Sequence, residues 1–300
     1  MSALLVPFVR AAFVASVLST FGVALFLSRL MPTVARRLEP SAVYLIERQC
    51  RTVAWWSLLA ASIAGLFWLV LETGAIVDAE TISQAIAAVP TVLVATRFGQ
   101  VLVGQALALL GARAAMATSW GVAPSATAFL AGAATVLEAG HSHAFAMAHG
   151  LSALLLSQAL HLLAAGAWLG GLVPLLVVVR QAPLAIAALA ARRFSALGLA
   201  SVATLAVTAI FQGWLLSGGV AGLVRTAYGA VLLVKALLFL VLVAIAAFNR
   251  LRLTPRLAAV HGEQGRHAIL RNIRAETIIG LGVVLAASVL SSLEPGMHQV

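Results

Sequence analysis

Long apolar runs separated by short polar connectors make up most of the 300-residue chain. An α-helix rises 1.5 Å per residue, so crossing a hydrocarbon core of roughly 30 Å takes about 20 apolar residues. Runs of this kind fall near 6–30, 52–77, 91–115, 122–140, 152–179, 194–216, 227–248 and 275–293. The pattern predicts an all-α polytopic membrane protein of about eight transmembrane helices, forming a single transmembrane domain over 1–300. The run at 122–140 is the weakest, because Pro124 interrupts its start and Gly, Ala and Thr dilute it. Residues Met1 to Arg10 lack a charged start followed by a short apolar core and a cleavage site, so the first run reads as a span and not as a cleaved signal.

Polar positions between the runs set the orientation. Arg36, Arg37, Arg48 and Arg51 follow the first run, Arg113 closes the third, Arg180, Arg192 and Arg193 follow the fifth, and six arginines from Arg250 to Arg274 follow the seventh. Alternate connectors are therefore basic, and basic connectors stay on the cytoplasmic side. Eight spans with this bias put both termini outside, together with the histidines around 141–149. In a bacterial inner membrane that side is the periplasm.

A short internal repeat fits the same topology. Thr96-Arg97-Phe98-Gly99-Gln100-Val101-Leu102 resembles Thr226-Ala227-Tyr228-Gly229-Ala230-Val231-Leu232, and Gln105 then corresponds to Lys235. Both copies begin helices entering from the outside, so the halves 1–120 and 121–300 read as two parallel four-helix repeats.

Composition closes off other classes. Hydrophobic residues are 62% of the chain and charged ones 9%, too little polar surface to cover a soluble globule of this size. A net charge of +10 suits a nucleic-acid partner in a soluble protein. Here the arginines lie in connectors beside apolar runs, so the basic charge serves orientation in the lipid bilayer and no nucleic acid is expected. The single cysteine, Cys50, has no partner for an internal disulfide. No phosphate-binding loop, Cys-x-x-Cys pair or catalytic triad is evident, and the chain does not read as an enzyme.

The chemistry concentrates at Glu138-Ala-Gly-His141-Ser-His143-Ala-Phe-Ala-Met147-Ala-His149, followed by His161 in the fifth run. Imidazole suits copper and zinc, a thioether favours Cu(I), and a carboxylate adds an oxygen ligand. These atoms make a candidate copper site, with the oxidation state open; a merely solvated histidine loop is the plainer alternative. His161 lies about nine residues, roughly 14 Å, inside its run. An ionisable group at that depth is a functional candidate, against the alternative of a neutral histidine bonded between helices through Gln158 or Ser157. Gly166 and Gly170 nearby form a small-xxx-small pattern that admits a close neighbouring helix. Lys235, at similar depth, reads first as a structural ion pair with Glu72 or Glu138, while Arg10 and Arg97 read as interfacial side chains. Met297 and His298 near the C-terminus repeat the soft ligand types on the outer side.

Several of these motifs together resemble the copper resistance protein D family (CopD, PcoD). They are Gly140-His141, the run from His161 to Leu172, Arg193-Phe194-Ser195, Thr226-Ala-Tyr-Gly229 with Lys235, and Asn249-Arg250. The resemblance spans essentially the whole chain and is most specific from about 138 to 257. It implies an inner-membrane protein of copper homeostasis that works alongside a periplasmic copper-binding partner of the CopC type. By position it carries over only to His141 and His161, which are expected to share one copper site. His143, His149, Met147 and Glu138 rest on ligand chemistry alone. The leading expectation is a copper-ion permease, with a non-transporting docking or sensing protein as the second reading and a di-haem membrane protein as a distant third. No second histidine or methionine ladder is visible deeper in the membrane, so the sequence leaves the inner part of any path undefined.

Overall fold

The computed structural model describes residues 5–118, 123–142, 152–257 and 262–295, and among these it is helical with no strand. Ten helices follow one another: α1 (Val6–Ala35), α2 (Pro40–Ile76), α3 (Ile82–Ala95), α4 (Arg97–Ala117), α5 (Ala123–Leu137), α6 (Ser152–Gln181), α7 (Leu184–Leu216), α8 (Gly219–Arg225), α9 (Ala227–Leu257) and α10 (Gly262–Leu290). Seven of them, α1, α2, α4, α6, α7, α9 and α10, are long and apolar enough to cross a membrane. The weakest predicted run becomes α5, whose 15 residues span only about 22 Å. It lies against α1, α4 and α6, and a 3₁₀ turn, Glu138–His141, extends it.

Several helices outrun their apolar stretches. The sequence starts the second span at 52, whereas α2 begins at Pro40 and carries Arg48 and Arg51 in helical turns before the lipid. Proline at a first helical turn forgoes no hydrogen bond, and an arginine-bearing turn is stable in water, so hydropathy marks the membrane boundary and not the helix end. The third predicted run, 91–115, is split at Thr96.

That split recurs, because the repeated heptapeptide makes the same corner twice. Thr96 and Thr226 both leave helical geometry, at φ −111° and −112° and ψ 150° and 154°. Each side-chain oxygen accepts from the amide of the glycine three residues on, at 3.1 Å for Gly99 and 3.0 Å for Gly229. Each hydroxyl donates backward, to the Val92 carbonyl at 2.7 Å and to the Gly222 carbonyl at 2.6 Å. Helices α3 and α8 thus end, and α4 and α9 begin, on a single threonine cap. The glycines are required by space: a Cβ at Gly99 would overlap the Val92 carbonyl, and one at Gly229 the Leu223 carbonyl.

At the centre stand α1 and α6. Of the most apolar stretch of each helix, 72% is buried in α6 and 56% in α1, against 6% in α9, so the first two form the core and α9 faces lipid. Side chains such as Leu66, Phe67, Val207 and Trp214 are exposed on the lipid side. Where α1 and α6 cross, a Cβ on Gly22 would overlap the Gly170 backbone and the Gly166 carbonyl, and one on Gly170 would overlap the Leu18 carbonyl. The neighbour admitted by the small-xxx-small pattern of α6 is therefore α1, in backbone contact.

Two π-helical turns interrupt the long helices, Phe26–Leu30 in α1 and Asn249–Leu253 in α9. Each is followed within two residues by a proline, Pro32 or Pro255. The second turn carries the half-buried Asn249 to Glu276 and leaves Arg250 exposed beside it, which hydropathy does not reveal. Because the α1–α6 contact leaves no room, Gly170→Val is expected to lower stability by about 1–3 kcal/mol or more, the usual range for overpacking. Gly213→Val, at a helical glycine with no atom within 4 Å of the added Cβ, is the control and leaves stability unchanged. Thermal unfolding of the detergent-solubilised protein compares the two, and equal stability of both variants contradicts the assignment.

Candidate functional site

Four helices converge on the histidine side of the protein around the 3₁₀ turn. Glu138, only 5% exposed, sits at the start of that turn and His141 at its end. From α1, Arg10 pairs with the Glu138 carboxylate at 3.1 Å, donates to the His141 carbonyl at 3.3 Å and binds the Ser291 hydroxyl just past α10. Its guanidinium also lies over the Trp68 ring, 5.3 Å from the centroid. Arg10 is therefore the partner of Glu138, in place of the interfacial role its position suggested. A charge at this depth is tolerated because its counter-charge is brought to it.

Gln105 on α4, fully buried, decides how His141 is presented. Its amide nitrogen donates to the Ala134 carbonyl at 3.2 Å and to Glu138 Oε2 at 3.0 Å. That orientation turns Gln105 Oε1 toward His141 Nε2, 3.0 Å away. An amide oxygen only accepts, so Nε2 carries the proton and Nδ1 keeps its lone pair. Aromatic rings hold the imidazole in place, with Trp68 edge-on at 4.8 Å and Phe98 at 5.2 Å between centroids. Burial pushes His141 down to about 4; Glu138 pulls upward and Arg10 downward, but desolvation outweighs both. His141 is thus neutral near pH 7, the protonation state in which imidazole binds metal.

His161 is fixed by the same device on other helices. Its Nδ1 lies 2.8 Å from Thr208 Oγ1 on α7, and the Thr208 hydroxyl donates to the Thr204 carbonyl at 2.7 Å. The threonine oxygen therefore accepts from Nδ1–H, which leaves the lone pair on Nε2. The partner is Thr208, and not the Ser157 or Gln158 suggested by sequence; Ser157 instead receives a bond from Gln212 at 3.1 Å. Lys235 lies close enough to act on His161 electrostatically. It is not in an ion pair with Glu72 or Glu138: Glu72 accepts from the Trp68 indole at 3.2 Å, and Glu138 is held by Arg10 and Gln105.

The hydrogen-bond partners of His141 and His161 lie on different helices, α4 and α7. His143, Met147 and His149 fall outside the described residues. Among the described residues, no group of three or more His, Cys, Asp or Glu side chains is gathered as a metal cage. What the structure adds to the sequence is the support behind each imidazole. Gln105 had been visible only as a repeat position, and Thr208 carried no signal, since a threonine in an apolar run looks like any other.

On the arginine-rich side a second polar group is buried. Glu276 on α10, 3% exposed, accepts from Asn249 Nδ2 at 2.6 Å, and Asn272 Nδ2 donates to Asn249 Oδ1 at 2.7 Å. Arg250, next to Asn249, gives its guanidinium to the Ser195 hydroxyl at 3.0 Å and carbonyl at 3.1 Å. Sequence reading named Asn249-Arg250 and Ser195 as motif residues without a role, and passed over Glu276.

Known proteins share this sequence pattern at length. Residues 1–154 match the family described as Copper resistance protein D-like, N-terminal domain, and residues 188–290 match Copper resistance protein D. The chain is 30% identical over 296 residues to Inner membrane protein YebZ of Escherichia coli, covering 93% of this chain and 94% of that one. It is 33% identical over 143 residues to Copper transport protein CutJ of Bacillus subtilis, covering 46% of this chain and 25% of that much longer relative. No solved structure matches. With the N-terminal family alone covering more than half of the residues, and a relative aligned nearly end to end, the chain belongs to the copper resistance protein D family.

Proposed function

We propose that this protein moves copper ions across the bacterial inner membrane, capturing them on the periplasmic side with His141 and passing them to His161 within the helix bundle. The observation that carries this reading is the orientation lock on His141: the oxygen of a buried glutamine accepts a hydrogen bond from its Nε2–H and leaves the lone pair of Nδ1 to face a metal. Support of this kind behind a ligating histidine typically governs metal affinity 10–100-fold. Family membership, and the word copper in the printed name of one relative, point to the same ion. His161 repeats the lock with Thr208 on another helix, so it is read as a second station in place of the one shared site expected from sequence.

In this reading His143, Met147 and His149 complete the coordination of copper at His141. Glu138 holds Gln105 in register and contributes negative charge near the cation. The chain acts as a single transmembrane unit of two parallel halves, each with one of the repeated threonine corners, and it carries cargo without catalysing a reaction. A periplasmic copper-binding protein of the CopC type is the natural donor. Weakly held copper at one or two imidazoles per station suits transport, since an ion must leave each site as well as enter it.

The direct test is copper uptake into proteoliposomes under reducing and oxidising conditions. His161→Ala is expected to abolish uptake while leaving copper bound on the outer side, and redox dependence identifies the ion. Copper binding without uptake in the wild type favours a docking or sensing protein. Gln105→Ala, which frees the His141 ring, is expected to weaken outer-side copper binding about 10–100-fold; unchanged affinity contradicts the lock. Acidification supplies a further check. An unperturbed imidazole protonates near about 6.5, whereas His141 stays neutral until pH approaches about 4. Copper binding is therefore expected to fall in two steps as pH drops, with the lower step absent in His141→Ala.

A further inference from the structure

Below the level of Trp168, helices α6, α7, α9 and α10 leave a cavity of about 180 Å³. A single water needs roughly 10–15 Å³ of such space, so there is room for several. Its walls are largely apolar, and the Glu276–Asn249 pair and Ser195 stand in them. Exposed Leu199, Arg250 and Leu251 line its mouth between α7 and α9, on the side of the basic connectors.

Glu276 has no cationic partner in this space. Glu276 is in neither the Arg10–Glu138 nor the Arg266–Glu263 ion pair, and Arg250, the other charged residue of the cavity wall, is bound to Ser195. Neither α6 nor α7 contributes a titratable side chain to the cavity, while α9 contributes Arg250 and the neutral Asn249. An ionised carboxylate in apolar surroundings is costly unless a cation or a proton accompanies it. A soft copper ion is ill suited to a site whose ligands are one carboxylate and amide groups. Asn249 also turns its N–H, not its oxygen, toward Glu276, the orientation that serves a carboxyl group and not a metal ion. The π-helical turn that begins at Asn249 is what aims this amide, and such turns recur at functional sites.

We propose that Glu276 is a proton-exchange site served by this cavity from the arginine-rich side, and that its proton transfer accompanies copper movement. The second half rests on the transport reading above. In the exchange, the Glu276 O–H bond breaks and the proton passes to a cavity water. The carboxylate left behind keeps the Asn249 hydrogen bond, and a proton returning from water restores the acid. Asn249 and Asn272 are positioning residues.

Infrared spectra of the wild-type protein in membranes, titrated with pH, are expected to show a protonated carboxyl band that vanishes on alkalinisation. The band should be missing from Glu276→Gln and displaced in Glu276→Asp, which keeps the acid if the first variant fails to fold. An identical band in wild type and Glu276→Gln, or no titrating carboxyl in the wild type, overturns the site. In proteoliposomes containing a trapped pH dye, Glu276→Gln is expected to bind copper normally but to lose copper-linked proton movement at least about tenfold. Undiminished proton movement in that variant overturns the coupling. A wild type that moves no copper ends the transport reading and the coupling with it, while the infrared titration still decides whether Glu276 exchanges a proton.

Discussion

In a bilayer no water reaches the hydrocarbon core, so every polar group placed there must find its partner within the protein. This requirement organises the whole molecule. Among the described residues, buried and half-buried polar side chains form a connected set near each end of the bundle. On the histidine side, Arg10, Glu138, Gln105 and His141 satisfy one another in a chain drawn from α1, α5 and α4. On the opposite side, Asn272, Asn249 and Glu276 form a second chain between α9 and α10. Between them, His161 and Thr208 tie α6 to α7.

These chains keep their geometry because the helices carrying them are held close. The α1–α6 crossing at Gly22, Gly166 and Gly170 brings two backbones into contact, where lipid offers no hydrophobic drive and packing must supply the attraction. Arg10 projects from one of these helices and His161 from the other. The two threonine corners act further out, fixing where α4 and α9 enter and hence the depth at which Gln105 and Lys235 sit, nine residues along from Thr96 and Thr226 respectively. A functional imidazole needs its ring held to within a fraction of an ångström, and in this protein that precision comes from glycine contacts and single-residue caps.

Much of this was legible in the sequence. Apolar runs of about 20 residues found the seven long helices, and the small-residue pattern of α6 announced a close neighbour without naming α1. The threonine–glycine repeat stood out because capping needs particular atoms at fixed spacing. Three features were hidden for physical reasons. Hydropathy marks where lipid ends, so it cannot show that α2 begins twelve residues earlier, in arginine-bearing turns. A contact such as Arg10 to Glu138 joins residues 128 apart, and charge alone does not say which distant partner a side chain will meet. Glu276 lies beside a run of arginines, where a carboxylate looks like part of a solvated connector; only the packing of α9 against α10 reveals it as buried.

Copper handling as proposed turns on His141, presented by Gln105, as a ligand of the metal. X-ray absorption spectra of the copper-loaded protein test it most directly, because outer-shell scattering counts the imidazoles bound to the metal. His141→Ala is expected to lose one imidazole from the copper shell relative to wild type, in protein that remains folded. A variant whose copper environment is indistinguishable from that of the wild type would contradict it.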